Sequence, residues 1–318
     1  MPSMSRSAVR TALSAAFISV LFVVTGCSER PSAAAYAAFE AKQRAKGNLR
    51  TETAPEDAPY DAADLVRNFE RIALYREADF TKSGGERNWT PNPVQRWAGP
   101  LRYDLFGKGV TPEDRAEVAR LMHRIAGLTG LDITESRTDS NFWILISTPD
   151  ERDDLNAHLA QVNAWLAKDF ELWRNNRQVH CLGDNLFSSD DRNRFSFGLV
   201  VIGSETGGLM RRACLHEEIV QILGLANDHP EVRPSIFNDD GEFALLTEHD
   251  EQLLRILYDP RLEPGMTAEE AMPIVRRIVA GIELDQPPAQ LAGGAAALTP
   301  IADTAGSRPP ETQDAPGN

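Results

Sequence analysis

The chain has 318 residues, and its 47 Asp and Glu residues outnumber 33 Lys and Arg, for a formal net charge of −14. So acidic a surface repels phosphate backbones, which excludes nucleic acid as a partner. The charge leaves the fold class open.

In chain order, the first segment carries Arg6 and Arg10 and no acid, then an apolar run from Ala12 to Val24, then Val24-Thr25-Gly26-Cys27. That order predicts a lipoprotein signal peptide over residues 1–26, cut before Cys27 and followed by lipid on that cysteine. The apolar run is shorter than the roughly 20 residues that a spanning helix needs. Cleavage removes two arginines and no acid, so the mature charge becomes −16. The protein is then expected at the periplasmic face of a bacterial membrane, with the membrane as a partner through the lipid. Ser28 after the lipidated position resembles enterobacterial lipoproteins sorted to the outer membrane. The two remaining cysteines, Cys181 and Cys214, form an even pair in an oxidising compartment and predict a disulfide worth roughly 3 to 4 kcal/mol.

Residues 27–60 are Ala-rich and then charged, with few large apolar side chains, and predict a flexible tether. Residues 285–318 are Pro, Ala and Gly with almost nothing to bury, and predict a disordered tail. Residues 61–284 lie between them, enough for one domain with a sizeable core.

Inside that domain, strands are expected at Trp97 to Phe106, Asn141 to Ser147 and Phe195 to Ile202. Thr111-Pro112 opens a helix whose buried stripe is Val118, Leu121, Ile125 and Leu128. Thr148 to Glu151 is a capping box, and Leu155, Leu159, Val162 and Leu166 recur behind it at helical spacing. A further helix runs from Leu209 to a stop at Gly224. Two more are capped by Thr247 and by Thr267 with Glu270. Strands alternating with long helices place the chain in the α+β or α/β class.

The stretch from Cys214 to Asp228 carries the candidate chemistry. A zinc protease helix needs ligands at i and i+4 with a glutamate after the first. Starting at His216 puts Val220 at the second ligand position, so that register fails. One residue later, Glu217 and Gln221 hold the ligand positions, Glu218 stands where the general base would be, Gly224 follows three residues on, and Asn227 three after that.

This spacing resembles the metzincin motif with all three ligand positions substituted, and Pro234 to Phe237 stands where the methionine-containing turn would be. More closely, H-E-E-x-x-Q-x-L-G-L-x-N-D, P-S-I-F-N-D, L-Y-D-P-R-L and P-G-M resemble the bacterial lipoproteins of the domain-of-unknown-function 2927 family. The resemblance implies an α+β zincin-like fold, with a mixed sheet packed on the active-site-type helix. It also implies an envelope location but no established reaction.

Amide oxygens of Gln221 and Asn227 are poor zinc ligands, so no zinc cofactor is expected. An all-oxygen set suits a hard cation such as Ca²⁺ better. In a zincin-like fold Glu217, Glu218, Gln221, Asn227 and Asp228, joined by Asn238 and Asp239, would converge on one cleft. Three readings follow. The cleft binds a peptide, glycan or envelope protein; or Glu218 serves as general base of a hydrolase; or the protein is a structural lipoprotein with a vestigial cleft. In the last, Glu217 and Glu218 are a solvated helix face and Asn227-Asp228 ordinary turn residues. His216 falls off the site's face and is expected to pack. His123, His158, His180, His229 and His249 have no metal spacing.

Overall fold

A computed structural model describes residues 31–77, 89–176, 179–238 and 240–285. The predicted signal peptide with Cys27, the predicted tail from 286, and Asp239 lie outside the described residues. Eight strands and eight α-helices are assigned among them. In chain order they are α1 (Ala33–Ala45), α2 (Ala62–Ala73), β1 (Tyr75–Glu77), β2 (Trp89–Pro91), β3 (Arg96–Trp97), β4 (Leu101–Phe106), α3 (Pro112–Thr129), β5 (Ile133–Glu135) and β6 (Phe142–Ser147). Then come α4 (Arg152–Val162), α5 (Ala164–Asn175), β7 (Cys181–Phe187), β8 (Arg194–Gly203), α6 (Gly208–Gln221), α7 (Glu248–Leu257) and α8 (Ala268–Asp285).

The main sheet is mixed and mostly parallel. β5, β4, β6 and β8 lie side by side in parallel, β3 adds two residues to β8, and β7 runs antiparallel along β8. Both faces of this sheet are covered, which is why β6 and β8 read as nearly unbroken apolar runs. Side chains alternate between the faces. Ile144, Ile146, Val200 and Ile202 turn to one core with α2, α3, α6, α7 and α8, while Leu145, Leu199 and Val201 turn to another with α4 and α5.

The helix predicted behind Thr148 is two helices. Asn163 breaks it in extended backbone, and its side chain accepts from the Trp165 and Leu166 amides to cap α5. The break turns Val162 outward, 44 % exposed, while Leu159 and Leu166 stay buried. The capping box at Thr148 and Glu151 closes a single 3₁₀ turn ahead of α4. The first predicted strand is also divided, with β3 and β4 separated by Ala98-Gly99-Pro100.

The described part of the predicted tether is ordered against the domain, which corrects the expectation of a flexible segment through residue 60. Tyr36 and Leu49 are buried, the Arg50 backbone pairs with Phe243, and Glu40 accepts from the Met210 amide at the start of α6. Composition missed this because α1 has only a few large anchors among its alanines. The predicted pair Cys181–Cys214 is a disulfide, with Cα atoms 5.8 Å apart, and it joins the first residue of β7 to the middle of α6.

Candidate functional site

The end of α6 is fixed by side chains from three other elements. The Ile222 carbonyl accepts from Trp97 Nε1 and Asn185 Nδ2 at 3.0 and 3.1 Å, and the Leu223 carbonyl accepts from the Tyr258 hydroxyl at 2.9 Å. These donors satisfy carbonyls that a helix terminus leaves open. Two residues on, Gly224 sits at φ +113°, where a Cβ would come 2.2 Å from the Gln95 carbonyl oxygen, so only glycine fits this bend.

α6 and β7 face one another. Leu182 and Leu186 of β7 pack with the core cluster that contains α5, whereas Asn185 bonds α6 and Gly183 lies under Glu218. Between the two elements is a cavity of about 280 Å³. Gly183, Asp184, Asn185 and Phe187 line it from β7, Gln221, Ile222 and Ala226 from α6 and the bend, Phe195 from β8, and Arg76 from β1.

The structure brings together four of the residues read from the sequence. Gln221 lines the cavity and its Nε2 lies 3.4 Å from Asp228 Oδ1, to which it donates. Glu218 is 7 % exposed, and burial, followed by the charge of Asp228, pushes its carboxyl up to about 8. Glu217 is half-buried, and burial, then Asp228 and Glu218, raise it well above the ordinary carboxylate range. The pair is therefore not a solvated helix face.

Two predicted members serve the scaffold elsewhere. Asn227 is 1 % exposed, with Nδ2 donating to the Arg71 carbonyl at 2.8 Å and its own amide donating to Ile72. Asn238 ties a turn together through the Pro230 and Val232 carbonyls and the Asp240 amide. His216 packs away from the cavity. Its Nδ1 accepts from the Leu246 amide at 3.0 Å, so Nε2 carries the proton donated to Glu117, 2.8 Å away. That bond holds the Glu117 carboxyl at about 2.

The turn expected at Pro234 to Phe237 is clamped by an acid that the sequence reading did not single out. Asp250 is fully buried and accepts from Ser235 Oγ, the Ile236 amide and Thr247. Three polar residues of the cavity wall were also missed: Arg76, Asp184 and Asn185. Burial and a hydrogen bond with Asp169 push Asp184 up to about 7, against the opposing charge of Arg76. Asn185 spends its Nδ2 on Ile222, and its buried Oδ1 has no hydrogen-bond partner among the described residues. Adjacent polar residues inside the short run Cys181 to Phe187 were the available signal.

A family model described as "Protein of unknown function (DUF2927)" matches residues 62–277, more than half of the chain. This chain belongs to that family. The DUF2927 region starts with the first residue of α2, reaches into α8 and contains every residue lining the cavity, whereas α1 precedes it. No curated protein and no solved structure matches the chain. Among the described residues of this DUF2927 protein, no three His, Cys, Asp or Glu side chains are arranged to hold a metal ion.

Proposed function

We propose that this DUF2927 protein is a lipoprotein of the bacterial envelope, held at the periplasmic face of the outer membrane by lipid on Cys27. Its α6–β7 cleft is a metalloprotease-like groove turned to binding, and it takes an extended peptide segment of an envelope partner. The order β4, α3, β5, β6, β7, β8 and α6, with α4 and α5 inserted before β7, supports the zincin-like reading.

One observation carries the binding role. Asn185 lines the cavity from β7, as Gln221 does from α6, and its buried acceptor oxygen has no hydrogen-bond partner among the described residues. An unpaired buried acceptor costs about 1–3 kcal/mol, which a ligand N–H recovers. β7 is paired to β8 along its length and forms one side of the cavity, so an extended chain can add there by main-chain hydrogen bonds. A cavity of 280 Å³ then accommodates one or two side chains.

The zinc site of a working protease does not fit this donor set. Gln221 and Asn227 offer neutral amides where imidazoles would stand, and Asn227 spends its Nδ2 on the Arg71 carbonyl, which leaves Glu217 as the one carboxylate among the three ligand positions. Glu218, pushed up to about 8, donates rather than accepts a proton at neutral pH, which suits a hydrogen bond to a ligand carbonyl better than activation of water.

A peptide library presented to the purified chain tests this. Binding should fall about tenfold, some 1.4 kcal/mol, in Asn185→Ala and in Gln221→Ala, with folding intact. Cleavage of a library peptide by the parent chain, lost in Glu218→Gln, would replace the binding module with a hydrolase. Neither binding nor cleavage would leave a structural lipoprotein.

A further inference from the structure

We infer that the outward face of α5, centred on Trp165 and Leu172, rests on the bilayer into which the Cys27 lipid is inserted. This rests on the lipid-anchor proposal above and adds the orientation of the domain to it.

The exposed large hydrophobic side chains among the described residues fall within one short stretch. They are Val162 (44 %), Trp165 (67 %), Leu172 (59 %) and Val179 (36 %). α5 already buries Leu166, Ala167, Phe170 and Trp173 against the sheet. Trp165 and Leu172 are seven residues apart, two helical turns, and so share the opposite side. That side thus leaves two large apolar side chains available for a further contact. Lys168 lies on the same side, with Nζ 5.3 Å from the Trp165 ring centroid. Tryptophan with a neighbouring lysine suits the boundary between headgroups and acyl chains, where the ring sits at the interface and the ammonium snorkels to water.

The path of the chain makes that bilayer the occupant. Cys27 is six residues before Ala33, where α1 begins, so the lipid attaches at most about 21 Å from the helix start. The rings of Tyr36 and Phe39 in α1 meet that of His180 at 5.5 and 5.1 Å, and Trp173 Nε1 lies 3.4 Å from the His180 carbonyl oxygen, to which it donates. The first turns of α1 and the last turn of α5 therefore flank one residue. Trp165 is about 12 Å further along the α5 axis. An anchor this short holds the α5 face within reach of the surface it is fixed to. Since α5 and α6 touch opposite sides of β7, the cleft stays on the side away from the bilayer. The mature net charge of −16, which is −14 less the two arginines of residues 1–26, gives no attraction to anionic headgroups, so contact comes from the apolar side chains.

The test uses the full chain, purified from bacterial membranes in detergent and reconstituted into phosphatidylethanolamine–phosphatidylglycerol vesicles with and without brominated acyl chains. Brominated lipid should remove about a fifth of the tryptophan emission, one residue of five, and Trp165→Phe should abolish that loss. Acyl mass on Cys27 without quenching overturns the docking face and leaves the anchor standing. Absence of acyl mass on Cys27 overturns the anchor and the orientation with it. A concentration-dependent dimer, lost in Trp165→Ser/Leu172→Ser, would assign the face to a second copy and overturn the proposal.

Discussion

Glu218 lies directly over Gly183: a Cβ on that glycine would come 2.6 Å from Glu218 Oε2 and 3.4 Å from its backbone oxygen. A side chain on this residue of β7 would force the carboxyl on α6 to move, and the disulfide between Cys181 and Cys214 keeps the two elements in register. Gly183→Ala should push the carboxyl off its seat and cost about 1–3 kcal/mol, the usual range for overpacking. In a Glu218→Ala background the same change should cost less, because the clashing atoms are gone. Denaturant titration of the four chains measures the coupling. Equal costs in both backgrounds would mean that the pair does not interact.

Glu218 also sets a pH dependence. Its carboxyl ionises at the ordinary 4.5 when the chain unfolds and is pushed up to about 8 in the fold, first by burial. The folded state therefore binds the proton more tightly, so its stabilisation is complete below about 4.5 and declines as the pH rises through about 8. Glu218→Gln keeps the shape of the protonated group and removes the titration. At pH 8 the variant should be more stable than the parent by on the order of 1–3 kcal/mol. For a domain of this size that is roughly 3 °C in Tm per kcal/mol. Near pH 4.5 the two should melt together. Parallel stability curves across the whole range would refute this assignment.

How much of this was legible depended on where the determining contacts lie. Local rules sufficed for α3, α7 and α8, whose caps at Thr111, Thr247 and Thr267 form as read, and for β6 and β8, whose apolar runs follow from burial on two faces. Helical spacing brings Glu217, Glu218 and Gln221 near one another, and the bend at Gly224 returns Asp228 to Gln221. Asn227 and Asn238 could not be placed the same way: each is bound by backbone carbonyls of other segments, Arg71 for one and Pro230 and Val232 for the other. β7 escaped notice because Asp184-Asn185 interrupts its apolar pattern, and it carries the opposite wall of the cavity. Asn163 was hidden inside a plausible helical stripe whose preceding member, Val162, is exposed.

The Cys181–Cys214 bridge closes a loop of 33 residues between an edge strand and the helix beneath the cavity. Cys181→Ser/Cys214→Ser should lower stability by about 3 to 4 kcal/mol on the chain-entropy account. Peptide binding should weaken as well, since β7 and α6 form the two walls. Reductant should act on the parent chain and leave the double variant unchanged. A parent chain insensitive to reductant would show that the sheet pairing of β7 alone sets its position.

Arg152 and Glu205 form a buried ion pair on the other side of the sheet. Arg152 Nη2 donates to both Glu205 oxygens at 2.8 and 2.6 Å, and the guanidinium carbon stands 5.2 Å from the Trp173 ring centroid. Both side chains are more than nine-tenths buried, so each charge depends on the other for its solvation. Glu205→Gln strands the guanidinium and should cost about 3–5 kcal/mol, whereas Arg152→Met/Glu205→Leu removes both charges and should cost less than the single change. Chemical denaturation of the single and double variants decides it. A double variant at least as unstable as Glu205→Gln would mean that Arg152 stabilises the fold through its bonds to Ser147 and its stacking on Trp173 rather than through the ion pair.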